Sequence, residues 1–238
     1  MNKDKMIYDE QEALSAVMED GFNLQYIVNQ TPEICIAAIK ENGLSLQFVK
    51  DQTLSLCKEA VTESPHALQF IVNQTPELCL LAVKKDGLSL EHVRKQSEEI
   101  CLEAVRNCGM ALAYVEQQTE ELCLLSVQQD GWNLRFVKKQ TPKICMEAVM
   151  QNGYALKFVE TQTEELCMEA IKENADALEF VKDQTPELCL AAIKEYLWAL
   201  EYVKNQTEDL CLFAIRQSKY AIQYVKDPTP EMVELANR

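Results

Sequence analysis

Nine cysteines recur every 22 residues: Cys35, Cys57, Cys79, Cys101, Cys123, Cys145, Cys167, Cys189 and Cys211. A row of thiols could ligate metal, cycle redox equivalents or crosslink the chain. Geometry argues against each. Equivalent residues on stacked helices lie about 8–10 Å apart, whereas a disulfide needs α-carbons within about 4.4–6.8 Å. No Cys-x-x-Cys pair occurs, and the two histidines, His66 and His92, have no second ligand at metal spacing. Cys101 and Cys108 are seven residues apart, about 10 Å along a helix. Ala13 and Val233 hold the same position at the chain's ends, so a small apolar residue suffices there. The row reads as a buried structural ladder, and no metal or cofactor is expected. Cys108 lies off the ladder near a helix end and is the candidate reactive thiol.

A second row is polar: Gln30, Gln52, Gln74, Gln96, Gln118, Gln140, Gln162, Gln184 and Gln206. Such amides could bind an extended ligand. The preferred reading is that each satisfies turn carbonyls and helix-start amides within the protein. Acidic residues gather where second helices begin (Glu33, Glu77, Glu98, Glu99) and basic ones where they end (Lys40, Lys84, Arg106). That polarity complements the helix dipole, at about 0.3–1 kcal/mol per charge. No phosphate-binding Gly-rich loop, GxSxG, HExxH or Cys-His pair at helical spacing is found, so no enzyme is expected.

These rows are the edges of a complete internal repeat. The first full copy is GFNLQYIVNQTPEICIAAIKEN (21–42) and the ninth is LWALEYVKNQTEDLCLFAIRQS (197–218). A fixed period of this size implies a small unit stacked along an axis. Thr31-Pro32-Glu33 and its counterparts combine an N-cap, a first-turn proline and a first-turn acid, a strong helix start. All six glycines open a repeat, and Asn42, Asp86, Asp130 and Asn152 precede four of them. A left-handed glycine ending the preceding helix is expected. Each repeat then holds a first helix of about eight to ten residues and a slightly longer second one. Ile34, Cys35, Ala38 and Ile39 share the second helix's buried arc, which Ile36 extends. The expected fold is all-α: a right- or left-handed α-solenoid of about ten helix-turn-helix repeats. A half-repeat cap covers 1–20, nine hairpins cover 21–218 and a truncated cap covers 219–238, in one elongated domain.

Composition bounds the function. With 47% hydrophobic and 26% charged residues, the chain is globular in character rather than disordered. No apolar run is long enough to span a membrane. The start, MNKDKMIYDEQEALSAV, lacks a secretory pattern. Ten cysteines then imply a reducing compartment, so cytoplasm is the expected location. A net charge of −15 disfavours direct nucleic-acid binding and favours a basic partner. Charge along a stack of ten repeats would still be sparser than along duplex DNA, so only local nucleic-acid mimicry is plausible.

Three groups are not absorbed by the repeat. The second position of each copy is mostly large and apolar, including Phe22, Met110, Trp132, Tyr154 and Trp198. These either staple a helix start to the preceding copy or form a partly exposed binding stripe. Leu81, Leu125 and Phe213 occupy a position on the outer side of the second helix where Glu is otherwise common. Arg135, Lys138, Lys139 and Lys143 form a basic cluster in an acidic chain, a candidate anion contact or a solvated face.

The signature carried by ALKFVETQTEELCMEAI (155–171) resembles the repeat of domain of unknown function 4116, over essentially residues 9–238. Departures are Leu54-Ser55 at one helix start, His92 for an aromatic residue, and Leu197 and Lys219 for glycine. Proteins of that family look like helical-repeat proteins of large viruses, bacteria and intracellular pathogens, some of them effector-like. The resemblance implies the helical-repeat fold and an interaction role, and brings no catalytic residues. The expected function is a non-catalytic module that binds another protein along a repeated face, as in host–pathogen conflict. The alternatives are an acidic inhibitor of a nucleic-acid-binding protein and a structural, self-associating rod. Partner and oligomeric state are not specified.

Overall fold

The computed structural model describes residues 6–238. The first five residues of the expected N-terminal cap lie outside the described ones. Among the described residues the chain is all-helical, without strands, and repeats a 3-10 helix followed by an α-helix about every 22 residues, the pattern of a helical-repeat solenoid.

Contacts divide the chain into two compact units, one ending at Gln117 and one running Gln118–Arg238. The first holds α1 (Glu10–Glu19), α2 (Pro32–Glu41), α3 (Leu54–Glu63), α4 (Pro76–Lys85) and α5 (Glu98–Asn107). The second holds α6 (Glu120–Gln129), α7 (Pro142–Gln151), α8 (Glu164–Glu173), α9 (Pro186–Glu195), α10 (Glu208–Gln217) and α11 (Pro230–Ala236). Within each unit every α-helix packs on the next, and a 3-10 helix joins them.

The α-helices start as their sequence dictates. Thr31 Oγ1 accepts from Ile34 N, and Thr141 does the same for Ile144 N, each followed by proline in the first turn. Each such cap is worth about 1 kcal/mol. Ile34, Cys35, Ala38 and Ile39 are buried, whereas Ile36 is exposed, so the buried arc is narrower than the sequence pattern implies.

The first helix differs from expectation. It is a 3-10 helix of six residues, such as Gly43–Phe48, rather than eight to ten α-helical ones. Its period of three stacks positions one, four and seven, so Gly43, Leu46 and Val49 are buried together. The residue before it acts at two helix ends. Asn42 donates its backbone N–H to Ala38 O, closing α2, and its side chain accepts from Leu44 N, opening the 3-10 helix. Asp20, Asp86, Asp130, Asn152 and Asn174 make the same side-chain cap.

The glycines are not left-handed: no glycine among the described residues has positive φ, and the residues that close α1 to α10 are extended. Glycine is required by close approach instead. A Cβ on Gly87 would lie 2.3 Å from Ala104 O on the α-helix of the same repeat, and one on Gly131 would lie 2.3 Å from Ala148 O. The small alanine on the facing helix, fully buried at Ala104 and Ala148, belongs to the same contact.

Candidate functional site

The glutamine row closes the junctions between repeats. Gln162 Nε2 donates to Phe180 O (2.9 Å), and its Oε1 accepts from Lys182 N (2.9 Å), both in the next repeat. Gln30, Gln52, Gln74 and Gln96 make the same pair of bonds in the first unit. Gln118, Gln140, Gln184 and Gln206 do so in the second. The side-chain amide thus does the work of a peptide group in a parallel bridge. At the start of the chain a real peptide takes that role: Ile7 N donates to Tyr26 O (2.9 Å) and Ile7 O accepts from Val28 N (3.0 Å). Cys101 Sγ reaches Gln96 Oε1 at 3.4 Å, a weak donor to an occupied acceptor.

All ladder cysteines are buried and unbridged. Burial pushes their thiols above the ordinary value, with nearby carboxylates adding to it at Cys101 and Cys145. Cys108 is half-buried, at the N-cap of a 3-10 helix, and its side chain makes no cap bond. Among the described residues no group of three or more His, Cys, Asp and Glu is placed to hold a metal.

A basic row completes the junctions. Lys50 Nζ donates to Val28 O (2.7 Å) and Arg94 Nη1 to Val72 O (2.9 Å). Lys182, Lys204 and Lys226 donate to Glu160 O (2.8 Å), Val181 O (2.8 Å) and Val203 O (2.7 Å). The signal was present in the sequence, since position eight of a repeat is basic in six copies, including Lys138. It reads as solvent chemistry until the carbonyls of the preceding turn are known to stand opposite. Shallow hollows of about 460 to 560 Å³ recur beside these turns, lined by residues such as Lys50, Thr53 and Cys57 or Lys204, Thr207 and Cys189.

The second-position residues staple forward, onto position six of the following repeat, and Trp198 also meets Tyr196 at the end of the preceding repeat, with centroids 6.3 Å apart. Phe22 meets Phe48 edge-on with centroids 6.0 Å apart. Trp132 meets Phe158 at 5.3 Å, Tyr154 meets Phe180 at 6.0 Å and Trp198 meets Tyr224 at 5.0 Å. Each first partner stays half-exposed, and Met110 is 43% exposed. In the second unit this row also contains Asp176, whose Oδ2 accepts from the Tyr154 hydroxyl at 3.3 Å. Asp176 is also the largest charge influence on Tyr202, whose phenol is raised first by desolvation and then by this carboxylate.

The remaining candidates fall elsewhere. Leu81, Leu125 and Phe213 are half-buried, as are Glu59, Glu103, Glu147 and Glu169 at the same position. That site is a flank between helices rather than an outer face. Arg135, Lys138, Lys139 and Lys143 are exposed. The Arg135 guanidinium lies over the Phe136 ring, 4.6 Å from its centroid. The two histidines, apart in sequence, are brought into contact: His66 Nδ1 and His92 Nε2 are 3.1 Å apart. No helix among the described residues is long and apolar enough to cross a membrane.

Comparison with protein families places residues 75–118 and 119–163 each on the model of a domain of unknown function, DUF4116, in tandem. The chain therefore resembles a repeat family over four consecutive copies of its period. No curated protein and no solved structure matches it.

Proposed function

We propose that the chain is a non-catalytic helical-repeat module that holds another protein along the face formed by positions two and six of its repeats. One observation carries this reading. The glutamine and lysine rows are consumed by bonds between repeats and the glycine row by close packing within each repeat, while the aromatic row keeps half-exposed rings that vary from copy to copy.

In the second unit the row combines Trp132, Tyr154 and Trp198 with the carboxylate of Asp176. Trp and Tyr supply large contact area at small entropic cost, which is why they dominate binding hot spots. Aromatic faces beside a carboxylate attract a cationic side chain, at about 0.5–2 kcal/mol per contact. A chain of net charge −15 favours the same partner by long-range attraction. A basic segment is the occupant this chemistry suits.

The test is a selection of random displayed peptides on the full chain. Enriched peptides rich in Lys or Arg are expected, with affinity falling at least tenfold when Trp132, Tyr154 and Trp198 are together replaced by Ser. Losing the three stackings costs stability as well, about 0.5–1.5 kcal/mol each, so circular dichroism must show the variant folded. Peptides that bind this folded variant as tightly as wild type would reject the face.

A further inference from the structure

The chain has two histidines, and the fold places them at one junction between repeats. His66 holds position two of its repeat and His92 position six of the next, the spacing at which Phe22 meets Phe48 and Trp132 meets Phe158. An imidazole pair has replaced an aromatic pair. The rings keep the edge-on geometry, with centroids 5.3 Å apart and planes at 76°.

A carboxylate stands behind the pair. Asp86 Oδ2 lies 3.1 Å from His66 Nε2, while Asp86 Oδ1 accepts from Leu88 N at 2.9 Å. The carboxylate is thus anchored by its own cap, and it fixes the His66 proton on Nε2. The lone pair of His66 Nδ1 then faces His92. A carboxylate holding the far nitrogen of an imidazole is the usual support of a metal-ligating histidine.

We propose that His66 Nδ1 and His92 Nε2 bind one divalent transition-metal ion of the class that favours imidazole, with water completing its coordination. Two imidazole nitrogens about 2.0–2.1 Å from a zinc-sized ion stand about 2.9–3.4 Å apart for angles between square and tetrahedral. The observed 3.1 Å falls within that span, so the nitrogens need not separate. They face each other across the gap, and each ring pivots outward as the ion enters. His66 is free to do so, its side chain being 43% exposed. His92 ligates once its proton moves from Nε2 to Nδ1, a tautomer change with no net uptake or release.

The test is calorimetric titration of Ni²⁺ into the full chain carrying Cys108→Ser, which removes the half-buried thiol as a competitor. One ion per chain is expected. His66→Phe and His92→Phe restore the aromatic residue that other repeats carry and are expected to weaken binding at least tenfold. Asp86→Asn keeps the cap, as Asn42 and Asn152 do, and is expected to cost roughly tenfold. As a measurement free of mutation, Ni²⁺ should broaden the two histidine ring-proton signals of the wild-type chain before any others. Equal Ni²⁺ affinity in His92→Phe and its parent, or histidine signals that persist at saturating Ni²⁺, would overturn the proposal.

Discussion

At the scale of single residues, the molecule uses side chains as substitutes for main chain. Gln162 gives and takes the same two hydrogen bonds that the backbone N–H and C=O of Ile7 exchange with Tyr26 and Val28. Removing it leaves Phe180 O and Lys182 N without a protein partner. Gln162→Ala is expected to destabilise by about 1–3 kcal/mol, with faster hydrogen exchange at the Lys182 amide; denaturant titration and exchange NMR read the two effects. The cysteines make a separate prediction. Their thiols are raised by burial above an ordinary value of 9.0, so the unfolded chain loses those protons first. Stability is then fully present below that pH and declines as pH rises through it toward the folded-state value. Cys145→Ala should show a shallower loss than wild type as pH rises above about 9 in matched thermal melts.

At the scale of elements, six residues of 3-10 helix and ten of α-helix alternate, and the basic row ties several turns to the one before. Glu160 interrupts that row with a side chain that cannot donate. Glu160→Lys would place an ammonium near the carbonyls of Val137 and Lys138, as Lys182 does for Val159 and Glu160. It is expected to stabilise by about 1 kcal/mol and to raise Tm by roughly 2–4 °C, measured by calorimetry. This scale also shows what a sequence can state. Thr141-Pro142 announces a helix start because capping is local chemistry. The 3-10 helix was hidden because six residues place apolar side chains similarly in either helix type. Glycine's reason was hidden too, since a need for positive φ and a need for close approach call for the same residue. The forward direction of the Trp132 staple and the meeting of His66 with His92 depend on which neighbour stands opposite. Only the period of 22 plus the four-residue offset within the next repeat could have revealed them.

At the scale of the whole chain, the rows differ in how uniform they are from copy to copy. The glutamine row, whose side chains bond to the following repeat, is uniform because those junctions must be alike. The aromatic row in the second unit varies among Trp132, Tyr154, Asp176 and Trp198 while keeping its place. Variation at a half-exposed, aromatic and locally acidic row is what recognition of one basic segment requires. Hydrogen exchange of the chain with and without a selected basic peptide is the most direct test. The amides of Trp132, Tyr154 and Asp176 are held by the caps Asp130, Asn152 and Asn174 at the foot of this face. The account predicts that the peptide slows exchange there and leaves the Gln-bonded amides of Glu160, Lys182 and Lys204 unchanged. Slowing confined to those Gln-bonded turns, with none at the caps, would contradict it.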